Sequence, residues 1–160
     1  MTRAPERADL EGATLRPATA GDLPAVEGLL LDAQLPLAGV SDSLATFVVA
    51  ECGKELVGVA GLEVCGDYAL LRSVAVARSW RSRGVGRALV TRVILDAEAR
   101  GLRALYLLTT TAERYFPAYG FAQTARDTVP AEVRATAEFQ TACPDSATVM
   151  SRKLARDSDK

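Results

Sequence analysis

LLRSVAVARSWRSRGVGRALVTRVILDAEARG, Leu70 to Gly101, is the stretch on which the fold turns. Leu70 to Val76 is an apolar run rich in β-branched residues and reads as a buried strand. Ala77 to Ser82 follows as a short polar loop, and Arg83-Gly84-Val85-Gly86-Arg87 opens a helical pattern. Val85, Leu89, Val90, Val93 and Ala97 keep the spacing of one helix face, and Gly101 is a suitable C-terminal stop. A loop with two glycines lets backbone N–H groups approach a ligand closely, and the helix behind it points its positive dipole end the same way. With Arg81, Arg83 and Arg87 added, the unit suits an anion of the pyrophosphate kind. It is neither a Walker loop, since no Gly-Lys-Ser/Thr follows, nor the GxGxxG dinucleotide fingerprint. The plain alternative is a strand–loop–helix connection with a solvated basic face.

Arg81-Ser82-Arg83-Gly84-Val85-Gly86 resembles the Arg/Gln-x-x-Gly-x-Gly/Ala loop of the GCN5-related N-acetyltransferases, with their Val-Ala-Val strand before it. Ala112-Glu113-Arg114-Tyr115-Phe116-Pro117-Ala118-Tyr119-Gly120-Phe121 is similar to a second hallmark, Ala-x-x-Phe-Tyr-x-x-x-Gly-Phe. The resemblance covers Thr14 to Leu154. It implies a single domain of α/β (α+β) class, with a mixed central sheet of about six to seven strands and flanking helices. It also implies acetyl-CoA as cosubstrate. The pyrophosphate would lie on the loop Arg81, Ser82, Arg83, Gly84, Val85, Gly86 and Arg87, the pantetheine along the strand of Val74 and Val76, and Phe116 beside the cofactor. Family members often pair as dimers, which extends to this chain as an expectation.

Composition agrees with such a domain. The chain has 160 residues, 49% of them hydrophobic, and a formal net charge of -1, so nothing draws it to nucleic acid or to an acidic membrane. No apolar run has the length of a membrane span, and Met1 to Arg7 has no apolar signal core. The expected location is therefore the cytoplasm. Residues 1–11 are expected to be a flexible N-terminus, 12–154 the domain, and 155–160 a flexible C-terminus. Cys52, Cys65 and Cys143 stand at no ligand spacing and read as reduced thiols, so no metal is expected. The chain has no histidine, the commonest general base.

Taken in order, Ala13 to Pro17 reads as a strand, and Thr19 with Asp22 as a capping-box variant opening a helix to about Ala33. Gln34 to Ser43 reads as a loop, which in the family roofs the acceptor site. Phe47 to Cys52 and Glu55 to Val64 read as strands joined by a turn at Gly53-Lys54, and Gly66-Asp67 turns into the central strand. Ala104 to Leu108 is a further strand. Thr110 with Glu113 reads as a capping box for a helix that Pro117 should bend or cut short. Phe121 to Arg126 reads as a strand, Pro130 to Phe139 as a helix, and Ala147 to Leu154 as the last strand.

N-acetyl transfer requires an amine placed against a thioester, a proton acceptor, and a donor for the oxyanion. The resemblance gives the oxyanion to a backbone N–H of the central strand, that of Val74. Glu63, a carboxylate in an apolar strand, is a base candidate, the alternative being a salt bridge to Arg72. Arg72 suits a carboxylate on the acceptor, or else forms a buried pair with Glu63 or Asp67. Ser73 would reach the acceptor if the strand carries a bulge, and Thr109 is a further acceptor-side residue. Phe116 stands where relatives often have a tyrosine that protonates the leaving thiolate. Tyr115 beside it should face about 100° away on a helix. Val129 to Gln140 and Cys143 to Ala147 resemble arsenic-resistance N-acetyltransferases and short N-acetylglutamate synthases. Both imply a small amino acid or amino-acid analogue as acceptor. For Cys143 the alternatives are an arsenic ligand or a packed thiol, and for Arg134 a carboxylate partner or a solvated helix face. The reading is an acetyl-CoA-dependent N-acetyltransferase working by direct attack in a ternary complex. The alternative is a non-catalytic acetyl-CoA-binding module.

Overall fold

The apolar runs of the chain assemble into one seven-stranded sheet in the computed structural model, which describes residues 12–142 and 147–155. The strands are β1 (Thr14–Pro17), β2 (Phe47–Cys52), β3 (Glu55–Cys65), β4 (Tyr68–Val76), β5 (Ala104–Thr109), β6 (Ala122–Gln123) and β7 (Thr148–Lys153). Their spatial order is β1-β2-β3-β4-β5-β7-β6, antiparallel throughout except for the β4–β5 pair. Cys143 and the expected loose ends, apart from Ala155, lie outside the described residues.

Helices cover both faces: α1 (Leu23–Asp32), the single turns α2 (Val40–Ser43) and α4 (Ala131–Arg134), and the long α3 (Val85–Ala99). The stripe predicted for α3 is its buried face, with Val85, Leu89, Val90, Val93 and Ala97 packed on Val48, Ala50, Val57, Ala60 and Leu62. Gly58 admits the helix: a Cβ there would stand 2.9 Å from Leu89 Cδ1 and from Val85 Cγ1. On the other face Val26 and Leu30 of α1 pack on Phe47, Val49, Val59 and Ala75. Phe47 and Val49 thus face one way and Val48 and Ala50 the other, as strand alternation requires.

Four expectations change. The helix starting at Thr110 shrinks to a 3-10 turn, Phe116–Tyr119, and the capping hydroxyl is that of Thr109, not Thr110. Its Oγ1 accepts the Ala112 N–H at 2.9 Å, and Pro117 follows too soon for an α-helix to build. The helix predicted over Pro130 to Phe139 ends at Arg134, and a π turn, Glu138–Ala142, follows. Thr136 separates them: its hydroxyl donates back to the Val133 carbonyl at 2.8 Å and accepts the Phe139 N–H at 3.3 Å. The strand predicted over Phe121 to Arg126 keeps only Ala122–Gln123 as a ladder, paired with Ser151 and Met150. The loop Gln34 to Ser43 contains the turn α2.

Candidate active site

β4 and β5 pair only from Tyr68–Leu70 to Ala104–Tyr106, although β4 continues to Val76 and β5 to Thr109. Past Leu70 the two strands part. A cavity of about 380 Å³ opens between them, walled by Arg72, Ser73 and Val74 on one side and by Leu107, Leu108 and Thr109 on the other. Ala33 at the end of α1 and Gln34 to Pro36 of the predicted roof loop line it too, together with Tyr115, Phe116 and Glu138. Separated strands also leave the backbone groups of β4 unpaired on that edge, which a ligand chain can use.

The wall of β4 is shaped by a bulge. Val59 pairs with Ala75 but Gly61 with Arg72, so Ser73 and Val74 together face Ala60. Ser73 takes φ 60, the left-handed region, which is costly for a residue with a Cβ. Leu71 packs on the α3 side, and so does Val74, three residues on, where strict alternation would send them to opposite faces. The bulge expected for Ser73 is therefore present, and it places Ser73 and Val74 in the cavity wall.

Arg72 is wholly buried. Its Nη1 donates to Glu63 Oε1 at 2.9 Å, and its Nε lies 3.1 Å from Ser73 Oγ and 3.3 Å from Glu138 Oε1. Its Nη2 is buried with no hydrogen-bond partner among the described residues. Of the two alternatives for Glu63, the ion pair is formed; Asp67 is exposed and takes no part. The roof reaches this pair as well: a Cβ on Gly39 would sit 3.2 Å from Arg72 Nη1. Glu138 is 4% exposed, and its carboxyl is pushed up to about 7. Burial drives that rise and Glu63 adds to it, against the pull of Arg72. No sequence signal singled out Glu138, which lies in a segment patterned as a helix between Ala137 and Phe139.

At the far end of β4 the glycine loop has the expected form. Gly84 stands at the N-cap of α3 with φ 88, a conformation open to glycine. Arg81 Nε donates to the Val76 carbonyl at 3.1 Å, tying the loop to the strand, and the Arg83 guanidinium lies 4.9 Å from the Trp80 ring centroid. Arg87 is exposed, and Val76 half-buried. The first N–H groups of this 15-residue helix have no partner within it and face the loop. Loop and cavity meet at Tyr115: a Cβ on Gly86 would lie 3.4 Å from its hydroxyl. Tyr115, expected to face about 100° away from Phe116, lines the same cavity, the two rings 5.1 Å apart. The Tyr115 and Tyr119 hydroxyls are 2.7 Å apart, and burial first, then that bond, raises the Tyr119 hydroxyl well above its usual range.

The remaining candidates sort by position. Thr109 lines the cavity, with its Oγ1 accepting the Ala112 N–H. Arg134 is exposed and outside the lining. Cys52 is half-buried; Cys65 is buried, its thiol pushed up to about 11 mainly by that burial. Among the described residues no three His, Cys, Asp or Glu side chains are grouped to hold a metal ion.

Comparison with known proteins bears on this geometry. Residues 43–123 match the acetyltransferase (GNAT) domain family. The N-acetylglutamate synthase of Neisseria gonorrhoeae, solved with coenzyme A and N-acetyl-glutamate, superposes with a TM-score of 0.77 at 23% identity. The match covers 90% of this chain, which spans about a third, 35%, of that enzyme. Rv2747 of Mycobacterium tuberculosis, solved in complex with CoA, gives 0.76 at 24% identity over 89% of this chain and 99% of its own. The ribosomal-protein-S18-alanine N-acetyltransferase of Escherichia coli gives 0.68 at 21% identity, covering 89% and 94%. At these identities the likeness is one of fold.

Proposed function

This chain belongs to the GNAT acetyltransferase family, and from that premise we propose that it uses acetyl-CoA as cosubstrate and that its acceptor is a small amino acid or a close amino-acid analogue. The observation that carries this reading is Arg72. Its guanidinium is wholly buried behind the cavity wall, one bulge away from the Val74 amide, and its Nη2 has no hydrogen-bond partner among the described residues. A buried N–H without a partner costs about 1–3 kcal/mol, and more on a charged group. A carboxylate oxygen of the acceptor would satisfy it.

Acetyl-CoA supplies the activated acetyl thioester. The loop from Arg81 to Arg87 would hold its pyrophosphate through backbone N–H groups of Ser82 to Arg87 and the start of α3. Val74 and Val76 would present backbone groups to the pantetheine, with Phe116 beside it, and the Val74 N–H would meet the oxyanion. Arg72 and Ser73 would orient the acceptor carboxylate, with Thr109 forming the opposite wall. Glu63 holds Arg72 in place for this work. Both substrates must be present together for direct attack. An arsenic-containing analogue that keeps the α-carboxylate would be read by the same groups. No helix among the described residues is long and apolar enough to cross a membrane.

A thiol-release assay over amino acids, their amides and the corresponding decarboxylated amines tests the reading. Turnover should favour free amino acids and follow sequential kinetics. Equal use of a decarboxylated amine would overturn the acceptor class, and parallel-line kinetics would overturn direct attack.

A further inference from the structure

We propose that Glu138 is the group that takes the proton from the acceptor's ammonium. The inference rests on the N-acetyltransferase reading above and adds the residue that the sequence did not reveal. The cavity between β4 and β5 has one carboxylate in its wall among the described residues, and it belongs to Glu138. Glu63, the acidic residue that the sequence pointed to, is outside the lining and occupied by Arg72 Nη1.

The placement of Glu138 follows from three features. The π turn Glu138–Ala142 begins at Glu138, whose carboxyl lies against Arg72 in the middle of β4. Arg72 Nε stands between Glu138 Oε1 at 3.3 Å and Ser73 Oγ at 3.1 Å, which fixes the carboxyl beside the bulge. The bulge in turn sets the Val74 amide in the same wall. Proton acceptor and oxyanion donor therefore line one cavity. The charged groups facing Glu138 are Arg72 from β4 and Glu63 from β3. Burial brings its carboxyl to about 7, so at neutral pH an ionised fraction is present, and that fraction is a stronger base than an ordinary carboxylate.

A zwitterionic acceptor is complementary to this pair, its carboxylate toward Arg72 and its ammonium toward Glu138. In the step, an N–H bond of the ammonium breaks and an O–H bond forms on Glu138. The freed nitrogen pair forms the C–N bond to the thioester carbon. The C–S bond breaks, the thiolate leaves, and it takes up the second nitrogen proton. The proton on Glu138 passes to solvent, so the sum is amide, thiol and one released proton.

The test is Glu138→Gln, with Glu138→Asp beside it, assayed for thiol release across pH 5.5–10 with the best acceptor. For the wild type kcat/KM should rise through an inflection near pH 7. Glu138→Gln should lose that inflection and fall roughly 100-fold or more at neutral pH. It should also regain activity as pH approaches the amine's own pKa, where the free base no longer needs a proton acceptor. CoA affinity should match wild type. If Glu138→Gln loses CoA binding, and so its fold, Glu138→Asp decides: an inflection retained at lower rate supports the base, and its loss overturns it. Identical pH profiles for wild type and Glu138→Gln overturn the base alone. A wild type that acetylates no amine overturns the acceptor reading and this assignment together.

Discussion

Replacing Glu138 by glutamine should make the stability of this protein less dependent on pH, in a window set by the folded site. The carboxyl is buried, and it is raised from an ordinary 4.5 to about 7. The folded chain therefore holds the Glu138 proton more tightly than the unfolded chain does. Its contribution to stability is greatest below pH 4.5, falls as pH rises from 4.5 to about 7, and levels off above that. At about 1.4 kcal/mol per pH unit, the fall over that window is about 3 kcal/mol. For a chain of this size that corresponds to about 6–12 °C in Tm. Asp22 does not interfere. Its hydrogen-bonded Arg16 holds it well below the carboxylate range, so its contribution is lost only as pH falls below about 4. The glutamine side chain mimics the protonated carboxyl in shape and charge, so Glu138→Gln should nearly match wild type at pH 4.5. It should then gain on wild type by about 3 kcal/mol by pH 7.5. Thermal or urea denaturation of both proteins at steps from pH 4.5 to 7.5 measures this difference directly. A constant gap would show that Glu138 titrates normally. A gap that turns against the variant as pH rises would show that Arg72 outweighs burial and keeps the carboxylate ionised.

Three further outcomes follow from packing and charge. Gly61→Ala should destabilise by about 1–3 kcal/mol, because a Cβ there falls 2.5 Å from Phe47 Cζ and the buried ring has nowhere to move; an unchanged urea midpoint would refute this. Gly86→Val should raise the KM for acetyl-CoA about tenfold, a loss of about 1.4 kcal/mol, since its Cβ lands 3.4 Å from Tyr115 Oη and 3.7 Å from Val76 Cγ2 and its methyls crowd the loop amides. Wild-type CoA affinity in that variant would show the loop assignment to be wrong. Arg72→Lys should cut kcat/KM for the free amino acid by roughly 10-fold or more relative to its amide, because lysine keeps the charge and loses the fork. If both enzymes prefer the free acid equally, Arg72 does not read the carboxylate.

The strand from Leu70 to Val76, the arginine–glycine loop and the helix behind it are legible because their signals are local. Periodicity, β-branching and glycine spacing act over a few residues, and α3 buries the face that its apolar spacing predicts. The segments after β5 depart from their patterns where a side chain outcompetes them. Thr136 turns its hydroxyl onto the backbone and interrupts a helix that propensity alone would extend, and Pro117 cuts short the one after β5.

The sequence by itself determined that a glycine–arginine loop follows a buried strand, that one domain surrounds them, and that Arg72 must have a partner, because a guanidinium in an apolar strand has no other way to be buried. Tertiary structure decided who the partners are. β4 and β5 part after Leu70, the bulge at Ser73 and Val74 turns the wall toward the gap, and the π turn brings Glu138 onto the same guanidinium that holds Glu63. Such a meeting depends on how distant segments cross. It also creates the low-dielectric surroundings that raise the Glu138 carboxyl, and no stretch of chain carries that information alone.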